Sequence, residues 1–520
     1  MRLTPLVFLV LVLMSPSLSL TAQTGPPFKM LEPPGPFAVG LRVVEQYDYS
    51  RAFQPAIDEL GKPYGGERAR PLQTLVWYPA RHTDAKPMVF GDYVALKATE
   101  TSFGSPRQLT GYRERMIASM KPYFANPTLA RRDAPSASGQ FPVIIYAPGS
   151  SSVSWENSDL CEYLASYGYI VVAAPAMGVF RESTDDVAGT DQQARDIAFL
   201  IAFARTLPDA DVSRIAVVGF SWGGLANLFA AALDDRIGAL VALDGSMQFY
   251  PGVVASAKDV HPEEMTIPLL YVQGQHTLED VARLQQDEPI AVGPNVLNEW
   301  RHGDLMTVRM LGLFHPEFIS LGQRNELMWK DEAAHLQEAD YTREDGIVGY
   351  GWVARYTRAF LDGYLKHDAA ATKFLRNTPG ENGVPAHMMG VTFRSATRAL
   401  VSSTSFRVRV GQEGFDHATE IYAAVRKEQP DFRLTPEAVD SWAYQLVAGS
   451  HFAEAVDIER LVVRLDDSSS AAFTHLGEMY TKAGQKQEAI ASYERALEKD
   501  TANITAKQSL EQLQGTTAHP

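Results

Sequence analysis

One serine sits among glycines in Gly219-Phe220-Ser221-Trp222-Gly223, between an apolar run, Ile215 to Val218, and a helix-forming run, Leu225 to Leu233. A strand feeding straight into a helix through G-x-S-x-G is the layout of a nucleophile elbow, which lifts a serine hydroxyl above a sheet. Glycine lets the backbone crowd itself at such a turn. The helix N-terminus beneath the serine aims N–H groups and partial positive charge at an oxyanion formed there. A serine hydroxyl is a weak nucleophile until a base takes its proton, and that base needs an orienting acid. In this arrangement the chain order is Ser, then Asp or Glu, then His.

Asp244 follows the apolar run Ile237 to Leu243, one strand after the elbow, and so belongs to the sheet edge that presents Ser221. A turn residue in Asp244-Gly245 is the plainer alternative. The rival acids Glu279 and Asp280 come after the next strand, whose end, Gln273-Gly274-Gln275-His276, carries no carboxylate; this favours Asp244. Among twelve histidines, His315 lies just past the strand Met306 to Leu311, where a final catalytic loop belongs. His302 precedes that strand, at the opposite edge, and His276 suits lining the pocket better than serving as base. The oxyanion needs two backbone donors, one of them Trp222 N–H, the residue after the nucleophile. The other is expected from Pro148-Gly149-Ser150-Ser151-Ser152, with Ser150 first and Gly149 next; a plain turn is the alternative there.

The elements that must hold these residues alternate. Strands are expected at 37–44 and 72–78, then at 141–147, 169–174, 215–218, 237–243, 268–272 and 306–311. Helical spacing falls around Leu160 to Leu164, over Gln192 to Leu207 and over Val353 to Lys366. Short, continuously apolar strands alternating with helices imply an α/β fold, a mostly parallel sheet covered on both faces. After an expected linker at 376–413, the pattern changes to all-α. Ala443, Leu446 and Ala455 recur 34 residues later as Gly477, Tyr480 and Ala489, the tetratricopeptide period, so 414–515 is expected to form tetratricopeptide-like helical repeats.

The remainder bounds the function. The chain has 520 residues, 45% of them hydrophobic and 21% charged, an ordinary globular composition with room for several domains. A net charge of −15 argues against nucleic acid as the main partner. Arg2, the apolar run Leu6 to Met14 and small residues up to Ala22 have the order of a signal peptide, expected at 1–22. The run is too short for a membrane span, so a secreted or periplasmic protein with no stable span is expected. The single cysteine, Cys161, reads as a small buried hydrophobe, and no Cys/His zinc spacing offers a metal framework. The chemistry expected at Ser221 requires neither metal nor organic cofactor.

Residues 37 to 375 resemble the platelet-activating-factor acetylhydrolase and dienelactone hydrolase-like branch of the α/β-hydrolases. The resemblance rests on Gly35-Pro36-Phe37-Ala38-Val39-Gly40, Val76-Trp77-Tyr78-Pro79, Gly219 to Gly224, Leu243-Asp244-Gly245, Phe314-His315 and Phe360 to Lys366. It implies a triad of Ser221, Asp244 and His315. Two features depart from the pattern. The acetylhydrolases carry His-Gly where this chain has Pro148-Gly149, and dienelactone hydrolases use cysteine where Ser221 stands. The expected function is a serine esterase acting on short acyl esters, lactones or acetylated lipids, with a protein partner possible at the repeats. The alternative is a scaffold whose repeats bind that partner while the hydrolase unit does little chemistry. A peptidase is a third reading.

Overall fold

The computed structural model describes residues 28–58, 60–103, 112–178, 184–276, 278–325, 341–397 and 401–515; the side chains of 112–113 and 278–280 lie outside that description. The leader expected at 1–22 also lies outside it. The chain divides into two compact units, Met1–Thr397 and Arg398–Pro520.

The first unit is built on ten strands. They are β1 (Ala38–Ala52), β2 (Ala69–Ala80), β3 (Ala130–Arg132), β4 (Phe141–Ala147), β5 (Ile170–Ala173), β6 (Ala210–Phe220), β7 (Ile237–Leu243), β8 (Leu269–Gln273), β9 (Leu305–Met310) and β10 (Met389–Arg394). Their spatial order is β10-β9-β8-β7-β6-β4-β5-β2-β1-β3. From β5 through β9 neighbours run parallel, whereas β2 is antiparallel to both β1 and β5, and β10 is antiparallel to β9.

Alternation along each strand feeds two cores. Ile144, Tyr146, Val171 and Val218 face the helices Ser158–Ser166 and Arg343–Leu365, through Leu160, Leu164, Val353 and Phe360. Val143, Ile145, Val172 and Val217 face the helices Val187–Ala204 and Trp222–Leu233, through Ile197, Ile201, Leu225 and Phe229. Both faces are therefore apolar, which is why these strands read as unbroken hydrophobic runs. A mixed sheet clothed by helices in this way is consistent with an α/β-hydrolase fold. No helix among the described residues is long and apolar enough to cross a membrane.

Registration of the strands positions the site. β5 and β6 lie on opposite sides of β4, so the loops after β4 and β6 diverge and open a crevice at the strands' carboxyl ends. Ala147 pairs with Gly219, Phe220 with Leu243, and Leu243 with Val272. The residues following these pairs, Pro148 onward, Ser221, Asp244 and Gln273 onward, consequently emerge side by side.

The linker expected at 376–413 is corrected. Met389–Arg394 forms β10, paired with β9 from Met389↔Met310 to Arg394↔Leu305. Ser403–Glu413 is a helix whose Phe406 and Val410 are buried in the second unit's core.

The second unit consists, among the described residues, of the helices Ser403–Glu413, Ala418–Glu428, Pro436–Ala448, Phe452–Leu465, Ser470–Lys482, Lys486–Lys499 and Ile504–Gly515. Pro436 and Ser470 open their helices 34 residues apart, as do Phe452 and Lys486. Small residues sit where helices touch: a Cβ on Gly477 would lie 2.7 Å from the Tyr493 ring.

Candidate active site

Ser221 occupies the sharp junction between β6 and the helix Trp222–Leu233, with φ 53° and ψ −121°. That is a left-handed φ on a residue with a side chain, a strain of roughly 1–3 kcal/mol which the surroundings must over-determine. They do so through the backbone: Ser221 N–H donates to Leu243 O at 3.0 Å, and Ser246 N–H donates to Ser221 O at 2.9 Å. Glycine is obligatory beside it. A Cβ on Gly219 would come within 2.3 Å of Gly223 O, and one on Gly223 within 2.1 Å of Ala147 O.

A continuous chain of polar contacts runs from this serine inward. Ser221 Oγ is 2.9 Å from His315 Nε2, and His315 Nδ1 is 2.5 Å from Asp244 Oδ2. The His315 ring stacks on Phe220, centroids 4.7 Å apart, which fixes its plane. Asp244 is fully buried. Gly274 N–H donates to its Oδ1 at 2.8 Å, and His276 Nε2 lies 3.1 Å from each of its oxygens. Burial alone would push this carboxyl up. Hydrogen bonds from His276 and His315, together with their charge, outweigh burial and hold it well below the usual carboxylate range. It is therefore ionised at neutral pH and can orient an imidazole. His276, expected only to line the pocket, does so against Phe249 and is also a second imidazole on Asp244. Glu279 and Asp280 fall on the helix Leu278–Asp287, and His302 precedes β9.

The loop after β4 is braced from beneath. Gly149 N–H donates to buried Glu156 Oε1 at 3.0 Å, and Tyr146 Oη donates to the same oxygen at 2.8 Å. The Gly149 N–H, expected second as an oxyanion donor, is thus engaged by Glu156. Ser150 lines the cavity beside Ser221 and Trp222, and its Oγ donates to Asp185 Oδ1 at 2.8 Å. Trp222 heads its helix, where an N–H has no intrahelical acceptor. The helix Val187–Ala204 ties both segments down: Gln193 Nε2 donates to Pro148 O at 2.6 Å and Trp222 Nε1 donates to Thr190 Oγ1 at 3.0 Å. That helix is itself anchored by Arg70, which is 1% exposed and makes a two-pronged pair with Asp196 at 2.7 and 2.6 Å.

Glu156 is absent from the sequence-based expectations. Burial pushes its carboxyl up to about 7, against the pull of Ser152, Tyr146 and Gly149. Its position nine residues past β4, within a serine-rich stretch, gives no hint that the loop folds back over it.

The cavity over Ser221 has a volume of about 380 Å³. Phe249, Tyr250, Val281 and Leu284 supply apolar wall, while Asp185, Arg283 and Asp287 bring charge. Such a mixture suits a compact ligand with both an apolar part and polar groups.

Likenesses to known proteins include a family, a relative and a solved structure. Residues 114–249 match the family model described as Chlorophyllase. A protein of Methylorubrum extorquens named as a carboxymethylenebutenolidase is 27% identical over 130 residues, which cover 23% of this chain and 45% of that protein. The chain thus spans less than half the length of that relative. Among solved structures, a ferulic acid esterase from Streptomyces cinnamoneus superposes with a TM-score of 0.48 at 18% identity, covering 71% of this chain and all of that one.

Proposed function

We propose that this chain is a serine hydrolase cleaving carboxylic esters, with Ser221 as nucleophile, His315 as base and Asp244 as orienting acid. The observation that carries the reading is the unbroken contact line from Ser221 Oγ through both nitrogens of His315 to a buried, ionised Asp244. The name of the likened carboxymethylenebutenolidase and the Chlorophyllase model support ester chemistry.

His315 Nε2 takes the hydroxyl proton as Ser221 Oγ bonds to the ester carbonyl carbon. Asp244 keeps the proton on Nδ1 and stabilises the imidazolium. The carbonyl oxygen becomes an oxyanion, received by Trp222 N–H and Ser150 N–H at the positive end of a helix. Collapse breaks the C–O bond, His315 returns the proton to the leaving alcohol, and water then releases the acid by the same steps. The substrate class is a short acyl ester, a lactone or an acetylated lipid, met outside the cytoplasm. The second unit is read as tetratricopeptide-like repeats that seat a protein partner.

A fluorophosphonate probe and a panel of p-nitrophenyl esters of increasing acyl length test this. Wild type labels and turns over, Ser221→Ala does neither, and His315→Ala loses turnover by at least about a thousandfold. Full activity in either variant would refute the roles; absence of labelling in wild type would leave the scaffold reading. Faster cleavage of matched amides than esters would make the protein a peptidase.

A further inference from the structure

The second unit holds a cluster with no counterpart in the chemistry above. The consecutively packed helices Pro436–Ala448, Phe452–Leu465 and Ser470–Lys482 bring Asp440, Glu459 and His475 together, one ligand atom of each lying within 4.8 Å of the others. His475 Nδ1 is 2.7 Å from Asp440 Oδ1. Glu459 is fully buried, and among the described residues its carboxylate oxygens meet the Asp440 carboxylate but no N–H or hydroxyl donor. A carboxylate removed from water without a donor costs several kcal/mol, so it calls for a cation or a proton.

The surroundings sharpen that demand. The group Glu459 faces is Asp440, itself an acceptor, and Glu478 on the third helix adds another negative charge nearby. Tyr444 Oη donates to Glu478 Oε2 at 2.9 Å, and Lys482 Nζ lies 3.5 Å from Glu478 Oε1, so Lys482 pairs with the outer acid of the group. The Tyr444 ring meets the His475 ring edge-on, centroids 5.7 Å apart, which holds the imidazole toward the acids. Asp440 and His475 are part-exposed, with side chains 24% and 36% accessible, so an ion can enter from solvent.

We propose that Asp440, Glu459 and His475 form a binding site for one divalent transition-metal cation, with Zn²⁺ the best match. One imidazole nitrogen with two carboxylate oxygens is a ligand set Zn²⁺ accepts in fourfold coordination, leaving a fourth position for water. Ca²⁺ and Mg²⁺ want six or more oxygens and match poorly. Entry of the cation replaces the hydrogen bond between His475 and Asp440 and ties three helices together.

The test uses the full chain, stripped of metal with a chelator and titrated with Zn²⁺ by calorimetry, with Mg²⁺ and Ca²⁺ as parallel arms. Thermal unfolding is followed by helical circular dichroism. Wild type is expected to bind one equivalent of Zn²⁺ with a raised midpoint. Both Glu459→Gln and His475→Ala lose that equivalent and the midpoint shift, while ester turnover is unchanged. Absence of Zn²⁺ binding in wild type overturns the proposal and leaves a proton-sharing carboxylate pair. Binding that persists in either variant overturns it too, as adventitious capture by exposed histidines. Equal binding of Ca²⁺ or Mg²⁺ overturns the assigned metal class.

Discussion

Glu156→Gln is expected to stabilise the first unit at alkaline pH and to leave it nearly unchanged in acid. The carboxyl is pushed from its ordinary 4.5 up to about 7 in the folded chain. Folding therefore favours its protonated form: the stability this group contributes is fully present below pH 4.5 and is lost as pH rises through 7. A shift of that size is worth about 3 kcal/mol. Glutamine cannot ionise, and its carbonyl oxygen still accepts from Gly149 and Tyr146, so the loop over Ser221 keeps its brace. Any packing penalty of the amide adds an offset that does not vary with pH. The measurement is urea unfolding by tryptophan fluorescence at pH 5, 6.5 and 8, taken as the difference between variant and wild type. Glu162, whose carboxyl burial also raises to about 7, titrates in both proteins and cancels. The difference should grow by roughly 2–3 kcal/mol across that range. A constant difference would show that Glu156 does not titrate in the folded state as its burial requires.

Three further perturbations reach other parts of the site. His276→Ala removes one donor from Asp244, and its partial exposure places the loss at the low end for a charged hydrogen bond, about tenfold in kcat/KM; an unaltered value would show that Asp244 is held by His315 and Gly274 alone. Gly223→Ala forces a Cβ against Ala147 O at 2.1 Å, so both yield of folded protein and probe labelling should collapse; a soluble, labelled variant would contradict the elbow geometry. Arg70→Ala leaves Asp196 buried without its closest partner and should cost about 3–5 kcal/mol in unfolding, with loosened bracing of Pro148 and Trp222. A loss below 1 kcal/mol, of the size of a surface pair, would show that Arg51 compensates.

Much of the first unit was legible because its strands are buried on both faces. Continuous runs such as Val143-Ile144-Ile145 admit few other readings, and the order of runs placed Ser221, Asp244 and His315 at one edge of the sheet. Legibility failed where burial is one-sided or long-range. β10, Met389-Gly390-Val391-Thr392-Phe393-Arg394, alternates buried or half-buried with more exposed positions on an edge and contains a glycine, so it resembled a linker. The extension of β1 from Glu45 to Ala52 was hidden by Glu45, Gln46 and Asp48 in the same way. His276 could not be seen to reach Asp244 until Leu243 was registered against Val272. Gly149 looked like a free donor because nothing local reveals the carboxylate beneath it. Asp440, Glu459 and His475 escaped notice because each is alone on its own helix, and no local spacing marks the group.

The place of β10 bears on how this protein comes off the ribosome. It is the last element of the sheet to be synthesised, some eighty residues after β9, yet it caps the strand from which the His315 loop departs. Until Arg394 has emerged, β9 presents an unpaired row of backbone donors and acceptors, with Met306, Val308 and Met310 along it. Such a row is a template for pairing with another nascent chain. A chain cut at residue 375 would expose that row permanently, so the shortest soluble form of the first unit has to run past Arg394.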